Sequence, residues 1–378
     1  MYSSWIGINS IEYLSKHTFA PMVDKALQLA LEKRKNEHAL RSLKPSEGLV
    51  DFCSNDYLGF SKRLKTPNSQ SGSTGSRLIT GHHQIHNEVE SQVAAFHNVE
   101  AALIFNSGYD ANLGFFSIVP SKCDTVIYDQ LCHASIRDGL RLGVARSFSF
   151  KHNDLEELKQ KLSKAEGNIF VVVESIYSMD GDSAPLKQIE EICFNHKANL
   201  VVDEAHATGV FGLKGEGLCA EIGVEPYARV HTFGKALGCH GAAVCGSKIL
   251  KDYLINFARP FIYTTALPPH SLEVIKQAYC ELEGCEEKQH LKKNIEFFKS
   301  QFQSLNLIES NSPIQCIVFG DNSQCKNISS SLQTSGLDIR PILSPTVEKG
   351  KERIRICLHS FNSRDEIAHL CGQLNELI

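Results

Sequence analysis

Short apolar runs alternate with amphipathic segments through the middle of the chain. Runs of this kind are typical of buried strands, and apolar residues at helical spacing predict helices. The predicted strands are Ala101–Phe105, Thr125–Tyr128, Ser147–Phe150, Ile169–Val173, Leu200–Val202 and Val230–Thr232. The predicted helices between them end at Phe116 and Leu142 or span about 154–164 and 185–196. This alternation predicts an α/β fold with a large, mostly parallel sheet that is covered on both faces.

The two ends of the chain have a different pattern. Residues 22–43 repeat apolar positions at helical spacing and predict an amphipathic helix, and Leu49–Ser54 predicts a strand. A long helix is predicted over about 270–304. The remainder predicts strands at Ile314–Phe319, Asp338–Pro341 and Arg353–Cys357, with helices near 325–335 and over 364–378. We therefore predict an N-terminal helical segment (1–44), a large α/β domain (45–280) and a small α+β domain (281–378).

Composition and charge exclude several classes of protein. Apolar residues make up 42% of the 378 residues and charged residues 22%, as in an ordinary globular protein. A net charge of −4 gives no footprint for nucleic acid or for a membrane surface. No apolar run is long enough to span a bilayer, and Met1–His17 lacks the pattern of a signal peptide. The 13 cysteines are scattered and odd in number, so we expect reduced thiols in a cytoplasmic protein.

Candidate chemistry lies at the predicted strand ends, where open α/β sheets bind their ligands. Asp203 directly follows the run Asn199–Val202, and His206 comes three residues later. Lys235 lies between Gly234 and a tail of small residues, so a flat ligand can approach it. Desolvation would lower the pKa of such a lysine towards that of a base or a Schiff-base amine. An acid at a strand end with a nearby histidine and a later lysine predicts a pyridoxal-phosphate site.

Other strand ends supply groups that suit the same cofactor. Ser107–Tyr109 closes a strand and opens a helix, and backbone N–H groups at a helix start bind phosphate. Thr232 offers a second hydroxyl for that phosphate. His133 follows a strand and can stack on a ring, while Ser178 can donate to a phenolic oxygen. Each of these residues has an ordinary structural interpretation alone, and only their order and spacing favour a common site.

Two further stretches contain residues that are typical of ligand sites. The loop Ser69–Gly81 is rich in glycine and serine but lacks the G-K-[ST] ending of a P-loop. Three histidines follow it closely: His82, His83 and His86. No acidic or thiol ligand has the matching spacing, and Glu88 and Glu90 are interpreted as solvent-facing helix residues, so a metal site is disfavoured. A zinc hydrolase built on these histidines is therefore the lowest-ranked hypothesis.

Three longer stretches carry a resemblance to a known family. They read S-M-D-G-D-S-A-P-L (178–186), D-E-A-H-A-T-G-V-F-G (203–212) and T-F-G-K-A-L-G-C-H-G-A-A (232–243). Together they resemble the α-oxoamine synthases, and the similarity runs from about residue 36 to the C-terminus. This resemblance implies the type I fold of pyridoxal-phosphate enzymes and the decarboxylative condensation of an amino acid with an acyl thioester.

The resemblance also implies a role for each residue of the site. Lys235 should hold the cofactor covalently and later move the Cα proton, while Asp203 should pair with the pyridinium nitrogen. His133 should stack on the ring, and Ser178 and His206 should bond the phenolic oxygen. The other implied residues are Gly108, Tyr109 and Thr232 for the phosphate, Thr264 and Thr265 for a neighbouring subunit's phosphate, Asn55 and Arg355 for the substrate carboxylate, and Arg41 and Thr346 for the acyl substrate. We therefore expect the site at a homodimer interface.

Finer details of the motifs bear on the substrates. M-D-G-D-x-A-P-L and T-F-G-K-x-x-G-C imply a member that joins L-alanine to a pimeloyl thioester, on coenzyme A or acyl carrier protein, in biotin biosynthesis. S-G-Y-D-A-N-L-G-F-F instead resembles a sister enzyme that uses glycine and acetyl-CoA. A non-catalytic binding protein of the same fold is the other alternative. The segment between Gly59 and Gly72 is shorter than in the family, which is expected to alter docking of the acyl carrier.

Overall fold

The computed structural model describes residues 22–43, 45, 48–65 and 68–378, so Met1–His17 lies outside the described residues. The strands are β1 Val50–Asp51, β2 Ala101–Phe105, β3 Thr125–Asp129, β4 Arg146–Phe150, β5 Ile169–Glu174, β6 Ala198–Asp203, β7 Ala228–Thr232, β8 Ala242–Gly246, β9 Ile314–Val318, β10 Leu337–Asp338, β11 Arg340–Ile342 and β12 Arg353–Cys357. The helices are α1 Met22–Asn36, α2 Phe60–Arg63, α3 Gln84–Phe96, α4 Gly108–Ile118, α5 Ala134–Leu142, α6 Leu155–Leu162, α7 Leu186–Asn195, α8 Leu218–Ile222, α9 Lys248–Phe257, α10 Arg259–Ile262, α11 Pro269–Leu282, α12 Glu287–Gln301, α13 Asn322–Thr334 and α14 Arg364–Leu377. Within these described ranges, no helix combines the length and the apolar character needed to cross a bilayer.

Seven strands form one central sheet in the order β2-β8-β7-β6-β5-β3-β4. The pairs from β7 across to β4 are parallel, whereas β8 runs antiparallel to both of its neighbours, β2 and β7. The predicted α/β fold with a large, mostly parallel sheet is thereby confirmed. Strand β8 was not predicted from the sequence, because its small residues A-A-V-C-G look like a continuation of the glycine-rich motif before them.

Side chains of the central strands alternate between two apolar cores, one on each face of the sheet. In β5, Phe170 and Val172 belong to the core that contains Phe115 of α4. Their neighbours Val171 and Val173 belong to the other, larger core. This alternation is the period of two that strand geometry imposes. Because both faces are covered, the ends of the strands are where polar side chains can meet a ligand.

The C-terminal part of the chain builds a second, smaller unit. Strands β11, β12 and β9 form an antiparallel sheet, and α13 and α14 follow β9 and β12 in the chain. The short strand β1 pairs in parallel with β10, so the segment before the main sheet is joined to this unit. Strand β1 belongs to the large domain as predicted (45–280) but pairs with a strand of this unit, and the domain boundaries at residues 44 and 280 stay a prediction.

Two helices end earlier than the periodicity predicts. The long helix predicted over about 270–304 is two helices, α11 and α12, because Gly284 adopts a left-handed φ of 81°. A left-handed residue at this point ends a helix, and glycine adopts it without a steric penalty. The helix predicted over residues 22–43 ends at Asn36, and His38 just beyond has a φ of 52°. Both predicted lengths are therefore wrong.

The strand predicted at Leu49–Ser54 contains only the two residues of β1. The Asp51 carboxylate accepts hydrogen bonds from the backbone N–H groups of Cys53 (2.9 Å) and Ser54 (2.8 Å). An aspartate that binds the N–H groups two and three residues on turns the chain out of the extended conformation. The turn is what brings the following residues towards the site described below.

The strand predicted at Asp338–Pro341 is divided between two sheets. Strand β10 pairs with β1, whereas β11 pairs with β12. Ile339 separates the two strands, and its carbonyl accepts hydrogen bonds from the side chains of Ser329 (2.6 Å) and Gln333 (3.0 Å) of α13. Side chains of α13 therefore bind the Ile339 carbonyl, which a continuous strand would use for a hydrogen bond to the neighbouring strand.

Glu90 is a buried residue, so its interpretation as a solvent-facing helix residue is wrong. Only 2% of it is exposed, and its carboxylate is bound by both Arg77 and Lys251. It also accepts a hydrogen bond from the backbone N–H of Ile104 in β2 (3.0 Å). Two cations and one N–H group provide the pairing that a buried carboxylate requires. Glu88 is exposed, as predicted.

A second buried ionic cluster lies at the other edge of the main sheet. The His152 ring is hydrogen-bonded to Asp129 at the end of β3 (3.1 Å) and to Asp182 (2.7 Å). Burial alone would lower the pKa of His152, but the hydrogen bonds to the two carboxylates outweigh it and raise the pKa to about 10. The Tyr177 ring packs edge-on against the imidazole at 4.4 Å. His152 is therefore a cation that neutralises a buried carboxylate.

We expect His152→Gln to destabilise the protein in a pH-dependent way. Because the folded pKa of about 10 lies above the usual 6.5, the stabilisation is complete below pH 6.5 and is lost as pH rises through 10. Removing one partner of a buried pair costs roughly 3 kcal/mol of the free energy of unfolding in the acidic part of this range. Urea unfolding of both proteins at a series of pH values measures the difference. His290→Gln, at an exposed helix position, is the control; a difference that does not change with pH would contradict the assignment.

Candidate active site

Two carboxylates lie side by side where adjacent strands of the main sheet end. Glu174 is the last residue of β5 and Asp203 the last residue of β6, and the parallel register places them opposite each other. Both are buried. Burial raises the pKa of Glu174, and the neighbouring Asp203 carboxylate raises it further. The sheet therefore presents a pair of acids of which one holds a proton more readily than an ordinary carboxyl group.

Lys235 lies close to this pair, in the bend that follows β7. Burial lowers the pKa of its ammonium group, in opposition to the two carboxylates, Asp203 and Glu174, which favour the charged form. The Arg355 guanidinium lowers the pKa further. A lysine in these surroundings is more easily deprotonated than one in water, which is the condition for a nucleophilic or basic amine.

Asp203 is held in place by its neighbours on two elements. Asn112 of α4 donates to its Oδ2 atom (2.8 Å), and the backbone N–H of Ala205 donates to Oδ1 (2.9 Å). Asn112 also donates to the hydroxyl of Ser135 (3.0 Å), which in turn contacts the His133 ring (2.7 Å). The predicted residues His133 and Asp203 are thus joined through Asn112, which was not predicted. Its signal in the sequence is a lone amide in the apolar helix A-N-L-G-F-F.

His133 occupies the start of α5 and is tied to the acid pair as well. Its backbone N–H donates to Glu174 Oε1 at 2.5 Å. Burial lowers the pKa of its ring, which favours the neutral imidazole. Glu174 was also missed as a site residue, although an acid directly after the apolar run Ile169–Val173 is the same signal that identified Asp203.

The residues that were predicted to bind the phosphate lie together at the start of α4. The Ser107 hydroxyl caps this helix by accepting from the Asp110 N–H (3.0 Å). A side-chain carbon at Gly108 would lie 3.4 Å from Thr232 Oγ1, so the start of α4 lies directly beside Thr232. Tyr109 is exposed, and its hydroxyl donates to Asp138 (2.6 Å). A helix start with small residues and hydroxyls is a suitable anion site.

Thr264 and Thr265 lie near the same helix start. Asn106, which follows β2, donates to Thr264 Oγ1 (3.1 Å) and to the backbone carbonyl of Thr265 (2.9 Å). Thr265 is exposed. The two threonines are therefore held by their own chain beside the predicted phosphate site, with one of them facing outwards.

A third group of predicted residues connects the main sheet to β12. Arg355 donates through Nε to the Ser178 carbonyl (2.8 Å) and through Nη2 to Asn55 Oδ1 (2.9 Å). The buried ring of His206 contacts the Tyr57 hydroxyl through Nδ1 (2.8 Å), and this hydroxyl also donates to Asn55 Oδ1 (3.1 Å). The predicted pair Asn55–Arg355 is thus brought together, and Tyr57 links it to His206. A tyrosine in a turn gives no sequence signal for this role.

The other predicted substrate residues, Arg41 and Thr346, also meet. Arg41 Nη2 donates to Thr346 Oγ1 (2.9 Å), although 305 positions separate them in the chain. Arg41 is exposed, so this pair lies at the surface. In the part of the chain that the structure describes, no cluster of three histidine, cysteine or acidic side chains is arranged to hold a metal ion. His86 instead contacts the backbone N–H of His83 through Nδ1 and caps α3.

The residues at the strand ends fit pyridoxal phosphate. Lys235 supplies a desolvated amine, Asp203 a buried carboxylate for a ring nitrogen, and the start of α4 a site for an anion. These three groups are what the aldehyde, the pyridine nitrogen and the phosphate of this cofactor need. Asp203 also accepts from two neighbouring N–H groups, so its position is set before any ligand arrives.

The comparisons with known proteins agree with this geometry. A family model described as aminotransferase class I and II matches residues 47–374, and the chain belongs to this family of pyridoxal-phosphate-dependent enzymes. Within it, the chain groups with the 8-amino-7-oxononanoate synthases, which are acyltransferases. It is 40% identical to the 8-amino-7-oxononanoate synthase of Emericella nidulans, over 90% of this chain and 92% of that protein.

Two solved structures extend the comparison to three dimensions. The 8-amino-7-oxononanoate synthase of Francisella tularensis has a TM-score of 0.75 and 29% identity, covering 88% of this chain and 97% of that one. The serine palmitoyltransferase of S. paucimobilis, solved with bound pyridoxal phosphate and myriocin, has a TM-score of 0.84 and 27% identity. It covers 94% of this chain and 98% of its own. The predicted fold type and cofactor are confirmed.

We expect Asn112→Leu to weaken the binding of pyridoxal phosphate. The substitution removes a hydrogen bond to a charged carboxylate, a contact worth roughly 1.5–3 kcal/mol, so affinity should fall about tenfold or more. Titration of the apoprotein with the cofactor, followed by absorbance, measures the change. Asn199→Leu is the control. Asn199 lies near the start of β6, away from Asp203 at the end of that strand, and it donates to the Ile169 carbonyl of β5. Equal affinity in the two variants would contradict the assigned role of Asn112.

Proposed function

We propose that the chain condenses L-alanine with a pimeloyl thioester, with loss of CO2 and free thiol, to form 8-amino-7-oxononanoate for biotin biosynthesis in the cytoplasm. The observation that carries this proposal is the Lys235 amine, desolvated and set beside the buried acid pair of Asp203 and Glu174. The identity to 8-amino-7-oxononanoate synthases over about nine-tenths of both chains supports the choice of reaction.

In this proposal each residue at the strand ends has a defined task. Pyridoxal phosphate, when bound, supplies an electron sink for the electron pair left when a bond to Cα of the amino acid breaks. Lys235 would hold the cofactor covalently, and its Nζ, once free, would take the Cα proton of the amino acid. Because burial lowers the pKa of Lys235, the neutral amine needed for this transfer is available near neutral pH. Asp203 would keep the cofactor's ring nitrogen protonated, and His133 would pack against the ring.

Arg355 and Asn55 are the proposed site for the carboxylate of the amino acid. A guanidinium binds a carboxylate through two parallel N–H groups, and Arg355 is oriented for this by its Nε bond to the Ser178 carbonyl. The low exposure of Arg355, 9%, strengthens its attraction for an anion. Ser178 and His206 are proposed to contact the phenolic oxygen, and Gly108, Tyr109 and Thr232 the phosphate.

The acyl substrate is proposed to approach from the surface where Arg41 and Thr346 meet. Their hydrogen bond joins the segment after α1 to the loop before β12, so this position depends on two distant parts of the chain. A pimeloyl chain carries a terminal carboxyl group or its ester, for which an exposed arginine is a suitable partner. The donor of the thioester is either coenzyme A or an acyl carrier protein.

We further propose that the enzyme is a homodimer with a shared site. Thr265 is exposed beside the start of α4, where a second subunit's phosphate can reach it. Helix α1 exposes apolar side chains, among them Val23, Leu27 and Leu31, at more than half of their surface. Exposed apolar side chains grouped on one helix are typical of a protein contact.

A product assay tests the proposed reaction. Purified holoenzyme is supplied with L-alanine or glycine and with thioesters of different acyl length, and the products are identified by mass spectrometry. We expect 8-amino-7-oxononanoate and CO2 from L-alanine and a pimeloyl thioester. Lys235→Arg should lower kcat by roughly a thousandfold or more, since arginine keeps the charge but supplies no free amine. Lys214→Arg, at an exposed ion pair, is the control. A preference for glycine and acetyl-CoA would contradict the proposal.

Hybrid dimers test the shared site. Lys235→Ala and Thr265→Ala are expected to be weakly active or inactive alone. If Thr265 serves the partner's site, a mixed dimer contains one site with both original residues, so mixing and re-associating the two variants restores activity. Activity is measured before and after mixing, and sedimentation confirms the oligomeric state. Mixing without any recovery, in samples that do exchange subunits, would show that Thr265 serves its own chain.

A further inference from the structure

Tyr57 lies completely buried between the two halves of the proposed site. Its ring has no exposed surface, and its hydroxyl contacts both Asn55 Oδ1 (3.1 Å) and His206 Nδ1 (2.8 Å). Asn55 Oδ1 also accepts from Arg355 Nη2 (2.9 Å). A continuous chain of hydrogen bonds therefore runs from the proposed carboxylate site, through Tyr57, to the histidine proposed to contact the cofactor.

The direction of each hydrogen bond in this series follows from which groups can donate a proton. A guanidinium can only donate, so the Asn55 atom that faces Arg355 is the carbonyl oxygen. That oxygen can only accept, so the Tyr57 hydroxyl donates its single proton to Asn55. The Tyr57 oxygen is then left as the acceptor for His206, which must carry its proton on Nδ1. The Nε2 atom of His206 is consequently the unprotonated nitrogen of the ring.

Burial keeps both members of the Tyr57–His206 pair neutral. It raises the pKa of Tyr57 above its usual range. It lowers the pKa of His206, which is lowered further by the positive charge of Lys235 and Arg355 and by the His133 ring. These groups on three other elements all oppose an imidazolium. The tautomer of His206 is therefore decided by hydrogen bonding to Tyr57.

We propose that Tyr57 is a positioning residue that fixes His206 in the Nδ1–H tautomer and makes the state of this ring depend on the Arg355–Asn55 pair. When a carboxylate binds to Arg355 and Asn55, the bonds that orient the Asn55 carbonyl change. The Tyr57 hydroxyl and the His206 tautomer respond to that change. Occupation of the amino-acid site is thus transmitted to the cofactor side of the site. This inference rests on the proposed function of Arg355 and Asn55 as the carboxylate site.

The tautomer is measured directly in the holoenzyme labelled with 15N-histidine. The nitrogen shifts of His206, assigned by the signals lost in His206→Asn, distinguish Nδ1–H from Nε2–H. We expect the Nδ1–H form in the original protein and loss of this preference in Tyr57→Phe, which removes only the hydroxyl. A proton on Nε2 in the original protein would overturn the proposal, even if the variant does not fold.

Amino-acid binding provides the second measurement. In Tyr57→Phe the dissociation constant for L-alanine, followed by the cofactor's absorbance, should rise about tenfold, as expected for one lost hydrogen bond in a linked network. The KM for the thioester should not change. In the His206→Asn background, Tyr57→Phe should have no further effect on L-alanine binding. An equal effect in both backgrounds would show that Tyr57 does not act through His206 and would overturn the proposal.

Tyr279→Phe is the matched control, because it removes an equivalent contact outside the site. Tyr279 is also buried, and its hydroxyl contacts His97 Nε2 at 2.9 Å. We expect this variant to lower the midpoint of thermal unfolding without changing L-alanine affinity or the His206 tautomer. If Tyr279→Phe weakens L-alanine binding as much as Tyr57→Phe does, the effect is structural and the proposal is wrong. Unchanged L-alanine affinity in Arg355→Lys, with the tautomer as expected, would instead contradict the proposed carboxylate site.

Discussion

The structure depends on the juxtaposition of two buried carboxylates and one lysine at the carboxyl edge of the main sheet. The parallel register of β5 and β6 places Glu174 beside Asp203, and the bend after β7 brings Lys235 to them. Like charges this close in a poorly hydrated site cannot both remain ionised at no cost, so one of them holds a proton or a cation comes near. The lysine is that cation, and its own burial makes its charge easy to lose.

The elements around this edge serve mainly to hold the reacting groups. Asn112 of α4 fixes Asp203 from one side, and the start of α5 places the His133 N–H on Glu174. On the other side, β12 contributes Arg355 from the smaller C-terminal unit. The proposed amino-acid side of the site thus includes Arg355 of the smaller sheet, the proposed cofactor side lies at the edge of the main sheet, and Tyr57 is buried between them.

Ionic pairing is used differently in the rest of the molecule. Glu90 is neutralised by Arg77 and Lys251, and Asp129 by His152, so each of these buried acids has its counter-charge beside it. Such pairs connect elements that are separated in the chain, here α3 to α9 and β3 to the turn that follows β4. The difference lies in the cation, because the pKa of His152 is raised by its two carboxylates, whereas burial lowers the pKa of Lys235. A buried cation that loses its proton easily allows a proton to move at modest cost.

Much of the fold could be predicted from the sequence because periodicity is a local property. Four buried strands, β2, β3, β5 and β6, were predicted with nearly their observed bounds, since each contains a short apolar run that ends in polar residues. The errors arise where the backbone conformation or hydrogen bonding of a single residue interrupts an element that the apolar pattern continues. Gly284 ends a helix by its left-handed φ, and Ile339 leaves a strand because α13 binds its carbonyl. Neither effect appears in the pattern of apolar positions.

The sequence by itself determined the chemistry that was available, because Lys235, Asp203 and His206 belong to motifs whose residue types and spacing are specific. Only the tertiary structure decided which groups surround them. Glu174, Asn112 and Tyr57 became part of the site through strand register, helix packing and a hydrogen-bonded turn. The physical reason is that burial and hydrogen bonding, which set charge and tautomer, arise from contacts between residues far apart in the chain.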